Sequence, residues 1–221
     1  MIGIGITTHN RRSTALHAIR EIKRLAPEGS KVVVVDDASD VPFPGADYRF
    51  EQNAGIAKAK NKCFELLEGC EHIFLFDDDV FPIYEDWHLP YVNSGINHLS
   101  FTFKRPELFT FIGKQYPYTC YELPCGLMLY YTKKCLESVG GFDEEYKGYG
   151  FEHVDLSKRI FNAGLTQAPF IDYANSLNLF YSFDYLKSIQ PSSRNRGLTI
   201  PANRTRYESL GDSQEFKPYK S

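Results

Sequence analysis

The sequence predicts an α/β fold, a single domain whose mostly parallel central sheet is flanked by helices. Three observations predict it. Short β-branched or apolar runs alternate with amphipathic stretches through the first half of the chain, the signature of a doubly wound sheet. Two of those runs stop abruptly in carboxylates, Asp36-Asp37 and Asp77-Asp78-Asp79, where such sheets bind ligands beyond the carboxyl ends of their strands. The length of 221 residues, 43% of them hydrophobic, supports one sizeable core and is short for two.

Taken in order, "IGIGITTHN" is a short apolar strand ending in polar residues, so Thr7, Thr8, His9 and Arg11 fall in the loop beyond it. "STALHAIREIKRL" follows, with Leu16, Ile19, Ile22 and Leu25 on one helical stripe. "KVVVVDDASD" is a β-branched run of the kind buried on both faces. "YRFEQ" reads as a third strand, and "GIAKAKNKCFELLEG" as a helix with Ile56, Ala59, Cys63 and Leu66 in phase and Gly69 as its stop. "HIFLF" is a fourth buried strand that runs straight into the three aspartates.

The second half changes character. The aromatic runs "HLSFTF", "LFTFIG", "YPYTCYE" and "GLMLYY" read as strands of a mixed or antiparallel extension, followed by a helix "TKKCLESVG". "EHVDLSKRIFNAG" is a further helix stopped by Gly164, and it carries Glu152, Asp155 and Arg159 on one face at i, i+3 and i+7. The expected organisation is a main domain over 1–186, with halves 1–100 and 101–186, then a lid or tail over 187–221.

Bulk properties narrow the partners. A formal charge of −3 argues against a general nucleic-acid or anionic-membrane binder. No apolar stretch approaches the roughly 20 residues that span a bilayer, and the N-terminus lacks a signal-peptide pattern, so a soluble cytoplasmic protein is expected. The five cysteines lack paired metal-type spacing and read as reduced thiols. Asn203-Arg204-Thr205 matches a glycosylation sequon, of little weight without a secretory signal.

Chemistry concentrates at the strand ends. Three acids crowded at Asp77-Asp78-Asp79 repel one another unless a cation compensates them, and oxygen ligands suit Mg²⁺ or Mn²⁺ bridging Asp77 and Asp79 to a diphosphate. The plain alternative is a solvated acidic turn. Asp36 and Asp37 suit acceptors for a base N–H or a ribose hydroxyl, or else an Asx turn. His9 offers a flat ring for a base, and Lys58 and Lys60 sit at a helix start that already favours anions, unless they are ordinary surface lysines.

Five segments, "ITTHNR", "VVVVDDASD", "NAGIAKAKN", "FLFDDDVFP" and "GGFDEEYKGYGFEHVDLSKRI", occur in the order and spacing of family 2-type glycosyltransferases. Over roughly residues 1–165 the chain resembles these enzymes of the GT-A (Rossmann-like) fold. The last segment is also similar to the acceptor motif of β-1,4-galactosyltransferases and polypeptide N-acetylgalactosaminyltransferases. The resemblance implies a metal-dependent hexosyl- or N-acetylhexosaminyltransferase using a nucleoside diphosphate sugar, a UDP-sugar foremost, with 1–186 as the catalytic domain, 1–100 its nucleotide-binding half and 101–186 its acceptor half. It implies that Thr7, His9 and Asp37 contact the nucleobase and that Asn53, Gly55 and Lys60 approach ribose or phosphate. Asp77 and Asp78 then lie by the ribose, and Asp79 holds the metal.

One departure concerns the base. Many inverting relatives read Glu-Asp at the acceptor motif, whereas this sequence reads Glu152-His153. His153, Glu152 and Asp155 are therefore the candidate acid-motif side chains, with His153 as base, as metal ligand or as a packing residue, and a retaining mechanism also open. Two rivals to a glycosyltransferase remain: a nucleotidyltransferase, although "TTHNRRS" lacks the glycines of its usual loop, and a silent sugar-binding module on the same fold. The acceptor is not legible, although Tyr116, Tyr118, Tyr121 and Tyr149 suit stacking on a sugar as well as they suit a core. The basic residues Lys187, Arg194, Arg196, Arg204 and Arg206, with Pro191, Gly197 and Pro201, read as a hinged lid over the diphosphate, a disordered tail or an anion-binding arm.

Overall fold

The computed structural model describes residues 1–103, 111–115, 117–122, 124–183 and 196–220. Strands β1 (Ile2–Thr8), β2 (Lys31–Asp36), β3 (Tyr48–Arg49) and β4 (His72–Asp77) alternate with helices α1 (Arg12–Arg24) and α2 (Ile56–Leu66). Then come β5 (Val80–Pro82), α3 (Leu89–Val92), β6 (His98–Ser100), β7 (Phe111–Gln115), β8 (Tyr118–Tyr121) and β9 (Met128–Thr132). The chain continues through α4 (Lys133–Val139), α5 (Glu152–Asn162), β10 (Ile171–Tyr173), β11 (Phe180–Ser182) and α6 (Arg196–Glu208).

The main sheet runs β3-β2-β1-β4-β9-β6. Its β3-β2-β1-β4 part is parallel, while β9 runs antiparallel to both β4 and β6. The predicted mostly parallel sheet and its antiparallel extension are both present. The extension also forms a small antiparallel sheet, β10-β8-β7, and β11 pairs with β5.

Strand alternation divides the core in two. Ile4, Ile6, Val34, Phe74, Phe76, Met128 and Tyr130 pack on the α1 side with Trp87 and Tyr91. Val33, Val35, Ile73, Leu75, Leu129 and Tyr131 pack on the other with residues of α2, α4 and α5. Each fully buried aliphatic or aromatic side chain contributes about 1.5–3 kcal/mol, which makes the two-faced burial the main source of cohesion. The opening I-G-I-G-I follows from this geometry: a Cβ on Gly5 would lie 2.7 Å from that of Cys63, and one on Gly3 would lie 2.9 Å from the Cys70 sulfur. Glycine at alternate positions lets α2 and the turn that follows it lie close against β1.

The C-terminal segment departs from the expected loop. Residues 196–208 form α6 with Pro201 inside it, and the chain then returns to make a parallel bridge between Gly140 and Lys217. Pro201 removes one helical N–H, and tertiary contacts keep the helix regardless. Asn203 makes three hydrogen bonds into the main chain at residues 147–150, and Arg206 pairs with Asp143 at 2.6 Å. The other expected lid residues, Lys187, Pro191 and Arg194, lie outside the described residues.

Candidate active site

The parallel register places the ends of three strands side by side: Thr7 lies opposite Asp77 and Thr8 opposite Asp36. A pocket of about 490 Å³ opens there. Thr7, Thr8, His9, Arg11, Asp37, Asn53, Gly55, Asp77, Asp78, Asp79, Glu152 and His153 all line it. Residues separated by nearly 150 positions thus line one pocket. Asp36, Lys60 and Asp155 stand behind the wall, not in it.

The acid cluster is compensated by two cations. Arg11 reaches across with Nη1 at 3.0 Å from Asp78 Oδ1 and Nη2 at 2.8 Å from Asp79 Oδ2. Thr8 donates its hydroxyl to Asp78 Oδ2 at 2.7 Å. Burial pushes the Asp78 carboxyl up to about 7, against the pull of Arg11 and Thr8. Lys60 is almost fully buried, with Nζ 3.1 Å from Asp77 Oδ1, 3.2 Å from the Gly126 carbonyl and 3.9 Å from Glu152 Oε1. Burial works against its charge, and Asp77 and Glu152 outweigh it, so its pKa is raised. Lys60 is therefore a counter-ion beneath the pocket, not a surface lysine.

Asp36 and Asp37 divide their roles. Asp36 is fully buried and accepts the Ser39 and Phe43 amides at 2.9 and 3.0 Å together with Arg49 Nε at 3.2 Å. It closes the turn after β2, the Asx-like alternative, and does not present itself to a ligand. Asp37 lines the pocket, but its carboxylate accepts the amides of Ala54 and Gly55 at 2.6 and 3.0 Å, which tethers the start of α2. Its carbonyl takes His9 Nδ1 at 2.7 Å, fixing the ring at the pocket wall, and Asn53 Nδ2 approaches the same ring at 3.3 Å.

Beside Lys60, α5 begins at Glu152 after Phe151, which adopts a left-handed φ of 74°. Glu152 is buried, with Oε1 3.1 Å from His153 Nδ1 and Oε2 without a hydrogen-bond partner among the described residues. Burial alone would raise its carboxyl, yet His153 and Lys60 hold it down at about 2. Gly126 is a residue that sequence reasoning passes over: a Cβ there would lie 2.9 Å from His153 Nδ1, so only glycine leaves the ring its place. Asp155 is corrected to a structural role, because Arg159 Nε at 2.6 Å and the Tyr146 hydroxyl at 3.0 Å occupy its buried carboxylate. Of the aromatics named for stacking, Tyr149 lines the pocket. Tyr121 is core and Tyr118 bonds to the Pro90 carbonyl, while Tyr116 lies outside the described residues.

Among the described residues no three His, Cys, Asp or Glu side chains converge as a ready metal cage. Asp79 nonetheless keeps a buried Oδ1 that has no hydrogen-bond partner among the described residues. One or two carboxylates completed by phosphate oxygens suit a small hard cation, so this donor set fits Mg²⁺ or Mn²⁺.

The architecture has close relatives. GalNAc-T7, solved with UDP, GalNAc and Mn²⁺, superposes with a TM-score of 0.68 at 12% identity over 95% of this chain and 48% of that one. The fold is that of the GT-A glycosyltransferases. A mannosyltransferase of Pyrobaculum calidifontis, in complex with GDP-Man and Mn²⁺, matches with a TM-score of 0.55 at 18% identity over 78% of this chain and 56% of its own. A Drosophila β-1,4-galactosyltransferase 7 variant with manganese, UDP-Gal and xylobiose matches with 0.53 at 17% identity over 90% and 78%. This GT-A chain thus spans about half the length of the first two. Residues 107–183 match the family model described as the N-terminal domain of galactosyltransferase. An uncharacterized glycosyltransferase of Acanthamoeba polyphaga mimivirus is 29% identical over 208 residues, covering 80% of this chain and 79% of that protein. No helix among the described residues is long and apolar enough to cross a membrane.

Proposed function

We propose that this GT-A chain transfers a sugar from a nucleoside diphosphate sugar, a UDP-sugar foremost, to an acceptor hydroxyl, with His153 as the general base. The observation that carries the reading is the Glu152–His153 contact at 3.1 Å in the pocket that Asp77, Asp78 and Asp79 also line. With Nδ1–H donating to the Glu152 carboxylate, Nε2 is left as the lone pair that takes the hydroxyl proton, the orienting logic of carboxylate–imidazole pairs. Glu152, held low, is a weak base near neutral pH and better suited to fixing the ring.

Asp79, with Asp77, would hold a divalent cation, which would supply charge neutralisation to the departing diphosphate. On the protein side, Arg11 lines the same pocket and brings a permanent cation to the phosphates. His9, pinned by the Asp37 carbonyl, presents a fixed ring to the base, and Asn53 and Gly55 border the ribose side.

The test is incubation with a panel of nucleotide sugars and Mn²⁺, reading slow release of nucleoside diphosphate, which requires no known acceptor. His153→Ala should lower turnover on the order of 10²-fold while donor affinity holds. Donor affinity lost together with turnover assigns His153 to the metal instead. A variant with normal turnover overturns the base assignment, and product stereochemistry then tells a Glu152 base from a retaining reaction.

A further inference from the structure

We infer that Asn203, in the C-terminal helix α6, is a positioning residue that sets the loop delivering Glu152 and His153 to the pocket. The inference rests on the reading of that pair as the proton-transfer machinery. It begins from a conformational problem. Gly148, Gly150 and Phe151 all have left-handed φ, at 68°, 94° and 74°, and Phe151 is bulky. Phe151 is also the N-cap position of α5, and its side chain makes no capping hydrogen bond. The start of α5, where Glu152 and His153 sit, is therefore not fixed by a local cap and has to be held from outside.

Asn203 supplies that hold. Its side chain is buried, and Nδ2 donates toward three carbonyls of the loop, Lys147 at 3.0 Å, Tyr149 at 3.2 Å and Gly150 at 2.9 Å. Two amide protons serve three acceptors, so one proton is shared. One turn earlier on α6, the Thr199 hydroxyl donates to the Tyr149 carbonyl at 3.2 Å and lies 3.4 Å from its amide. Thr199, Gly148 and Tyr149 all line the pocket, so α6 forms part of its wall. The Tyr207 ring packs on Phe151 at 5.6 Å between centroids. The Asn-Arg-Thr tripeptide thus has its asparagine amide engaged internally, which answers why asparagine stands there.

The experiment is Asn203→Ala compared with the unsubstituted protein by steady-state kinetics, calorimetric binding of donor, and hydrogen exchange. Exchange should rise over 147–155 and stay unchanged at β1, β2 and α2. kcat should fall on the order of 10- to 100-fold with donor affinity within about twofold, as for small misplacement of a reacting group. Normal kcat in the folded variant, or equal loss of donor affinity and kcat, overturns the inference. Should Asn203→Ala fail to fold, Thr199→Val, which removes one hydroxyl with little change of shape, is read by the same split. Exchange over 147–155 is independent of turnover: a protein that proves inactive with every donor refutes the transferase reading, whereas an active protein whose loop ignores the substitution refutes this one.

Discussion

Lys60→Met should destabilise the metal-free protein by about 3 kcal/mol, and its pH dependence reveals the cause. The ammonium lies 3.1 Å from one carboxylate oxygen and 3.9 Å from another. At an effective dielectric of about 20 those separations correspond to attractions of roughly 5 and 4 kcal/mol, before the cost of burying the charges. Removing one partner of a buried pair costs about 3–5 kcal/mol, because the remaining charge is left uncompensated. The Asp77 side chain keeps 26% exposure and some hydration, which places the expectation at the lower end. For a chain of this size that loss lowers Tm by roughly 6–12 °C. Burial already raises Asp77, and losing Lys60 raises it further. A raised carboxyl costs stability above its folded pKa and recovers it on protonation, so the deficit should be largest near pH 8 and narrow toward pH 5. Chemical denaturation with chelator at both pH values measures this, with Lys60→Arg as the charge-preserving control. A loss under about 1 kcal/mol, or a deficit that grows on acidification, would refute the assignment of Lys60 as the counter-ion of this cluster.

Arg11→Met bares Asp78 and Asp79, so Mn²⁺ affinity without nucleotide should tighten by roughly tenfold while nucleoside diphosphate binding weakens, both read by calorimetry. Unchanged Mn²⁺ affinity would mean that the guanidinium and the cation do not compete. Asp78 is pushed up to about 7 by burial, and Asp172 likewise, so the folded state binds protons there that the unfolded state releases. Tm in chelator should therefore rise as pH falls from 8 toward 7, and Asp78→Asn should remove part of that slope; nearer pH 6 His72, His88 and His98, whose pKa values burial lowers, oppose the rise, and below about pH 5 the lowered carboxyls of Asp36, Asp143 and Glu152 reverse it. Gly126→Ala crowds the His153 ring and should lower kcat on the order of tenfold with donor affinity retained. Equal kcat would show that the ring has room to move.

The central sheet was legible because its signals are local: three apolar runs with period-two or continuous burial, each followed by a polar stop. Helix phase was legible too, but not which end of a face meets the ligand. Glu152 and Asp155 share a face at i and i+3, and both read as acid-motif candidates. Glu152 stands at the first turn and reaches the pocket, whereas Asp155 lies one turn deeper against Arg159 and Tyr146. Adjacent residues at a strand end part in the same way, Asp36 turning under the Ser39–Phe43 loop and Asp37 toward α2. Gly126 was invisible because its requirement comes from a ring 27 positions away.

The cations carry the larger lesson. Sequence composition drew attention to the basic C-terminal segment, because its arginines cluster without intervening acids. In the structure Arg206 is held by Asp143 and Arg204 lies over the Phe151 ring at 5.7 Å, so both brace the 143–151 loop. The guanidinium that lines the pocket among the described residues is Arg11, brought from the β1 end to acids 67 and 68 positions away. No local pattern predicts that pairing; it follows from the parallel register that sets β1 beside β4. A charge cluster in sequence marks where cations are plentiful, whereas an acid cluster at a strand end marks where one is required. Because three buried or half-buried carboxylates cannot share a strand end uncompensated, the register itself obliges a cation from the neighbouring β1 loop to fill the place. On the proposed reading, the same obligation makes Arg11 the group that would have to yield to an arriving cation, and it would yield toward the donor phosphates.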